Sequence, residues 1–109
     1  MRFNHMELTF PRGTLTDEFR SDVGDFYGSV FGWAASTVKV VGQDCLYLHV
    51  DDGQFILCAE TDNPIQSPSY DHLGLLMDTR ADVDGALDAI KRRARSDERI
   101  RIKEYEDLV

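Results

Sequence analysis

Basic residues are scarce in this chain. Its 109 residues include 12 Lys and Arg against 20 Asp and Glu, a formal net charge of −8. Nucleic acids and anionic membrane surfaces bind through a positive face, so neither is an expected partner. Long apolar runs are also missing, and nothing approaches the ~20 consecutive apolar residues of a membrane span. The opening MRFNHMELTF has no apolar core segment and no small-residue cleavage site, so it does not read as a signal peptide. Only two cysteines occur, Cys45 and Cys58. Two thiols without a secretion signal are expected to stay reduced, which makes the cytoplasm the expected compartment. GxGxxG, P-loop, HExxH and GxSxG patterns are all absent. Nucleotide-binding and serine-hydrolase readings therefore have no support.

What is present suits one packed domain over 1–109, with 42% hydrophobic and 10% aromatic residues. A chain this short buries a modest share of its surface, so a partner subunit would help it. FNHMELTF, 3–10, alternates as a strand, with Phe3, His5, Glu7 and Thr9 on one side. Pro11 and Gly13 end it. Thr14 followed by Asp17 reads as a capping box, and Phe19, Val23, Phe26, Tyr27 and Val30 then share a helix face that Gly32 stops. STVKVV, 36–41, is rich in β-branched residues and reads as a strand.

CLYLHV and QFILCAET flank Asp52-Gly53, which predicts a hairpin. A two-residue loop sets Val50 opposite Phe55, Leu48 opposite Leu57 and Leu46 opposite Ala59. That register gathers the apolar residues on one face. It leaves Cys45, Tyr47, His49, Ile56, Cys58 and Glu60 on the other. Cys45 and Cys58 then stand two rungs apart, too far for a disulfide in a regular ladder.

DNPIQSPS, 62–69, holds two of the three prolines and reads as a linker. The pattern then restarts. Tyr70, His72, Gly74 and Leu76 alternate with Leu73, Leu75 and Met77. Thr79 and Asp82 again resemble a capping box, and Val83, Ala86, Leu87, Ile90 and Ala94 make an amphipathic helix. IRIKEY, 100–105, predicts another strand. The expected fold class is α+β, a βαβββ unit over 1–61 and a partial copy over 70–109. YDHLGL, 70–75, echoes FNHMEL, 3–8, each with a histidine at its centre.

FNHMEL, DFYGSVFGW at 25–33 and YDHLGLLMD at 70–78 occur in an order and spacing that resemble the vicinal oxygen chelate superfamily. That group includes glyoxalase I, extradiol dioxygenases and bleomycin-resistance proteins. The resemblance implies tandem βαβββ units forming a curved-sheet cup with helices outside. It also implies a homodimer and a divalent metal (Zn, Ni, Co, Fe or Mn) held by His5, His72 and Glu60, with Cys58 competing for the position of Glu60. The glutamate-bearing eighth strand of metal-binding members has no counterpart here. The expectation is that the native chain continues past Val109 or that a partner subunit covers the sheet edge.

Neutral imidazoles with a carboxylate suit such an ion, which could polarise a carbonyl. Alternatively, each histidine is an ordinary half-buried strand residue. Glu60 is a candidate general base or a solvated strand end, and Glu7 an alternative carboxylate. Tyr47, His49, Cys58, Trp33 and Tyr70 are candidate substrate contacts. Cys58 also reads as a structural thiol, and Trp33 as helix-to-sheet packing. Seven of the twelve basic residues fall in 91–103, which reads as a solvated helix end and an exposed strand. Three functions follow as expectations. One is a metal-dependent lyase, isomerase or dioxygenase acting on a small carbonyl or vicinal-oxygen compound. Another is a metal-free small-molecule-binding protein, and the third is an interaction domain with no site.

Overall fold

A computed structural model describes residues 1–106. The chain divides into two compact units, Met1–Leu73 and Gly74–Val109. The first is α+β. Strand β1, His5–Pro11, leads into helix α1, Asp17–Phe31, and then into strands β2, Ala34–Val40, β3, Gln43–Asp51, and β4, Gln54–Thr61. The sheet runs β1-β4-β3-β2. β1 is parallel to β4, and the other two pairings are antiparallel.

Helix α1 starts where its first N–H groups find acceptors. Thr16, not Thr14, is the N-cap, and its hydroxyl accepts from the Phe19 N–H at 3.1 Å. Thr14 is turned the other way, donating its hydroxyl to the Pro11 carbonyl at 2.6 Å. At the far end Gly32 takes φ 75°, the left-handed region that glycine enters without a Cβ penalty. That turn directs the Gly32 N–H to Gly28 and the Trp33 N–H to Tyr27. Close packing on β2 needs glycine as well, because a Cβ on Gly24 would stand 3.1 Å from the Ala35 Cβ.

The core lies between α1 and the sheet. Trp33, Leu46, Leu48, Ile56 and Cys58 are buried there, with Leu8, Phe10, Phe19, Val23, Tyr27 and Val50 packed against them. Trp33 stacks on Tyr27 at 5.1 Å and 10° and packs between helix and sheet. A second cluster occupies the face of the sheet away from α1, here called the distal face. Cys45, Leu57 and Ala59 are buried in it among Val38, Tyr47 and Phe55.

The hairpin register differs from the expected one. Asp51 opposes Gln54 across the two-residue turn, but His49 then opposes Phe55, Leu48 opposes Ile56 and Leu46 opposes Cys58. Val50 is the extra residue of a β-bulge. One added residue on β3 inverts the assignment of β4, because successive strand side chains alternate between faces. Ile56, Cys58 and Glu60 therefore face α1, while Phe55, Leu57 and Ala59 join Tyr47 and His49 on the distal face.

In the second unit the structure shows helix α2, Arg80–Ala94, capped as expected by the Thr79 hydroxyl on the Asp82 N–H at 3.1 Å. Lys91 pairs with Glu104 at 3.2 Å, and Arg99 with Asp97 at 2.8 Å. The Arg99 hydrogen bonds hold the Asp97 carboxyl down to about 2. Residues 70–78 and 100–105, both expected as strands, form none. A strand needs a ladder partner for its backbone groups, and neither segment has one among the described residues. The last part of the expected 70–109 half, residues 107–109, lies outside the described residues. No helix among the described residues is long and apolar enough to cross a membrane.

Candidate functional site

Strand geometry alone places the residues of the distal face. On β1, His5, Glu7 and Thr9 pair in register with Phe55, Leu57 and Ala59 of β4. Tyr47 and His49 of β3 lie beyond, then Ser36 and Ala34 of β2. Three rings stand side by side across this surface. His5 stacks on Phe55 at 4.8 Å and 8°, and Tyr47 stacks on the same Phe55 at 4.7 Å and 23°. His5, Glu7 and His49 are exposed, while Tyr47 and Phe55 are half-buried. Such a row offers flat apolar surface edged by polar groups, the mixture that small-molecule sites use.

Glu60 is not part of this surface. It pairs with Phe10, and its carboxylate accepts the Leu15 N–H at 2.8 Å on the α1 side. The Gln43 side chain holds the Glu60 backbone at both ends, accepting its N–H at 2.6 Å and donating to its carbonyl at 3.1 Å. The carboxylate therefore satisfies a backbone donor just ahead of α1. The structure thus places Glu60 on the α1 side, on the opposite face of the sheet from His5, with which it was expected to act. Beside it is a hollow of about 380 Å³, lined in part by Arg20, Thr37, Asp44 and Glu60. Arg20 is committed there to the Leu15 carbonyl, the Thr37 hydroxyl and the Asp44 carbonyl. Its guanidinium ties the start of α1 to β2 and β3. Lys39 bonds Asp44 at 2.9 Å and lowers the Asp44 pKa.

Cys58 is also on the α1 side and buried. Burial, reinforced by Cys45, pushes its thiol up to about 11. A nucleophile needs the thiolate, which this buried core position disfavours. Cys45 is buried on the opposite face, and burial followed by the Glu7 charge raises its pKa too. Both thiols are free. Residues on opposite faces of a sheet point apart, which excludes a disulfide on different grounds from the rung count.

His72 and Tyr70 are exposed and outside any strand. His72 Nδ1 donates to the Tyr70 carbonyl at 2.7 Å. His5 Nδ1 is 2.6 Å from Asn4 Oδ1. Each ring thus presents Nε2 outward, which is the usual donor arrangement of a ligating histidine. The rest of a metal site is missing. Among the described residues no three His, Cys, Asp or Glu side chains gather as an ion requires. The described residues by themselves therefore do not assemble a metal site.

Sequence reasoning overlooks Asn4, Arg20 and Phe55. The Asp52-Gly53 turn carries a usable signal for Phe55, since any ring next to a hairpin turn sits near its cross-strand neighbours. Asn4 and Arg20 each bond a backbone carbonyl distant in sequence, which no residue pattern marks. No family model matches the chain, and no curated protein or solved structure matches it.

Proposed function

We propose that the chain is a glyoxalase-like domain of the vicinal oxygen chelate kind that binds a small organic molecule on its distal face without a resident metal. The observation that carries this reading is the ring row His5, Phe55 and Tyr47, with His49 beside it. The β1-α1-β2-β3-β4 order, with β1 and β2 at opposite edges, supports the family part of the reading. The finer architecture belongs to the same proposal. In it, a second βαβββ-like half or a second copy of the chain curves the sheet into a closed cup, as a homodimer.

Titration of the full-length protein with small aromatic compounds of either charge, followed by NMR, tests the ligand reading. Shifts confined to His5, Tyr47, His49 and Phe55 are expected. Shifts only around Arg20 or in the 94–99 loop would move the site elsewhere. Light scattering at micromolar concentration tests the dimer, and a stable monomer would remove it.

The metal-dependent enzyme is the second reading, favoured by the outward Nε2 atoms of His5 and His72. Metal analysis of untagged protein separates the two. Stoichiometric metal that disappears in the His5→Ala, His72→Ala double variant would replace the first reading with the second.

A further inference from the structure

Asn4 lies between two groups that make opposite demands on its amide. Its Nδ2 donates to the Gly53 carbonyl at 2.9 Å, and its Oδ1 faces His5 Nδ1. A carbonyl oxygen can only accept. Gly53 therefore selects the NH₂ end of the amide and leaves the oxygen for the histidine. That oxygen also only accepts, so His5 Nδ1 must carry the shared proton. In the neutral ring Nε2 is then a bare lone pair.

The arrangement is anchored on several sides. The Phe55 N–H donates to the Asn4 carbonyl at 3.1 Å, and the Arg2 guanidinium bonds the Asp52 carbonyl. Residues 2–5 thus wrap the hairpin turn, while Phe55 lies flat against the His5 ring and fixes its plane. No protein group among the described residues occupies Nε2.

Glu7 stands on the same face two residues along β1, a rise of about 7 Å. It is exposed, and among the described residues its carboxylate makes no hydrogen bond or ion pair. No Lys or Arg stands on the distal face of the four strands, and Glu7 is its one carboxylate. A fixed acceptor, a nearby negative charge and adjoining rings match a group that is positive, rich in N–H donors and carried on an apolar body.

We propose that the distal face recognises an organic amine in its ammonium form. His5 Nε2 accepts one N–H, Glu7 supplies the counter-charge, and Asn4 is the positioning residue that holds His5 in the accepting tautomer. The proposal rests on the ligand reading of this face given above.

The test uses the full chain at about pH 8, where an ordinary imidazole is neutral, with tryptamine and indole-3-propionate as probes of opposite charge on one ring. Nitrogen NMR of the histidine rings reads the tautomer directly. In the unliganded protein His5 Nε2 is expected to be unprotonated, and Asn4→Ala is expected to shift the ring toward the Nε2–H form. A merely structural role for Asn4 would leave that signature unmoved. Tryptamine is expected to shift the His5 and Glu7 signals, whereas indole-3-propionate at equal concentration leaves them in place. Glu7→Gln should weaken tryptamine about threefold to fivefold at low salt, the scale of an exposed ion pair. A protonated Nε2 in the unmodified protein overturns the role of Asn4. Equal shifts from both probes, or an unchanged affinity in Glu7→Gln, overturn the amine preference while keeping a ligand face. No shift on this face from either probe sinks the proposal and the ligand reading together.

Discussion

FNHMEL at 3–8 and YDHLGL at 70–75 place a histidine and a leucine at the same spacing, and their fates diverge. Residues from His5 onward form β1, while residues 70–76 form no strand. At the atomic level the two histidines still agree, each donating from Nδ1 to an acceptor close by in sequence. What differs is the supply of partners. β1 has β4 to receive its backbone bonds, and the α1 side receives Leu8 and Phe10. The second phrase has no such ladder among the described residues. Its Leu73 and Leu75 are 50% and 42% exposed, and the following Leu76 is 101% exposed. Alternation thus permits a strand, and an adjacent ladder turns it into one.

Amide hydrogen exchange is the strongest way to break this contrast. Alternate amides of β1, those directed at β4, are expected to exchange orders of magnitude more slowly than amides of 70–76. Equal protection in both segments would mean that the second phrase pairs in solution. A matched pair of substitutions sharpens the contrast energetically. Leu8→Ala, which removes packing from the α1 core, should cost about 2 kcal/mol in urea unfolding. Leu75→Ala should stay within about 0.5 kcal/mol. A large cost at Leu75 would show that the second half buries it after all.

Smaller effects test the first unit alone. The Cys58 pKa is raised to about 11, above that of an unfolded thiol. The folded state therefore holds the proton more tightly. Its contribution is complete below the ordinary thiol pKa and is lost as pH rises toward about 11. Cys58→Ser is expected to flatten that alkaline decline, and an unchanged slope would assign it to another group. A further expected change is a gain. Val41 has φ 49° in the β2–β3 turn, a conformation unfavourable to a β-branched residue, and its side chain is fully exposed. Val41→Asn should stabilise by about 1 kcal/mol. A loss in thermal or urea melts would show that the valine contacts something.

Much of the first unit is legible in the residues. The strand at 3–10, the helix face of Phe19, Val23 and Tyr27, the Asp52-Gly53 turn and the packing role of Trp33 all follow from period, turn chemistry and size. The strand at 36–41 is legible too, though β2 begins two residues earlier, at Ala34. The hairpin register does not follow, because the Phe55-Ile56-Leu57-Cys58-Ala59 run of β4 is apolar on both faces. A central strand buried on both sides offers no alternation by which to choose between registers. The error reaches the candidate site, since the expected register puts Glu60 and Cys58 on the wrong face. Tyr47 and His49 lie on β3 ahead of the bulge and keep their face. The second unit misleads for the opposite reason, as a clear alternation without a ladder.

The bulge at Val50 also sets how this hairpin tolerates inherited change. Replacing its side chain with another apolar one leaves the strand count intact, so substitutions there should be mild. Deleting the codon would remove only the unpaired residue, leaving His49 opposite Phe55 and Leu48 opposite Ile56, so β4 keeps its faces. Losing or gaining one residue within the paired stretches 46–49 or 55–58 would instead exchange the faces beyond it, so length there, and not at the bulge, is the inherited quantity that keeps the aromatic row where it is.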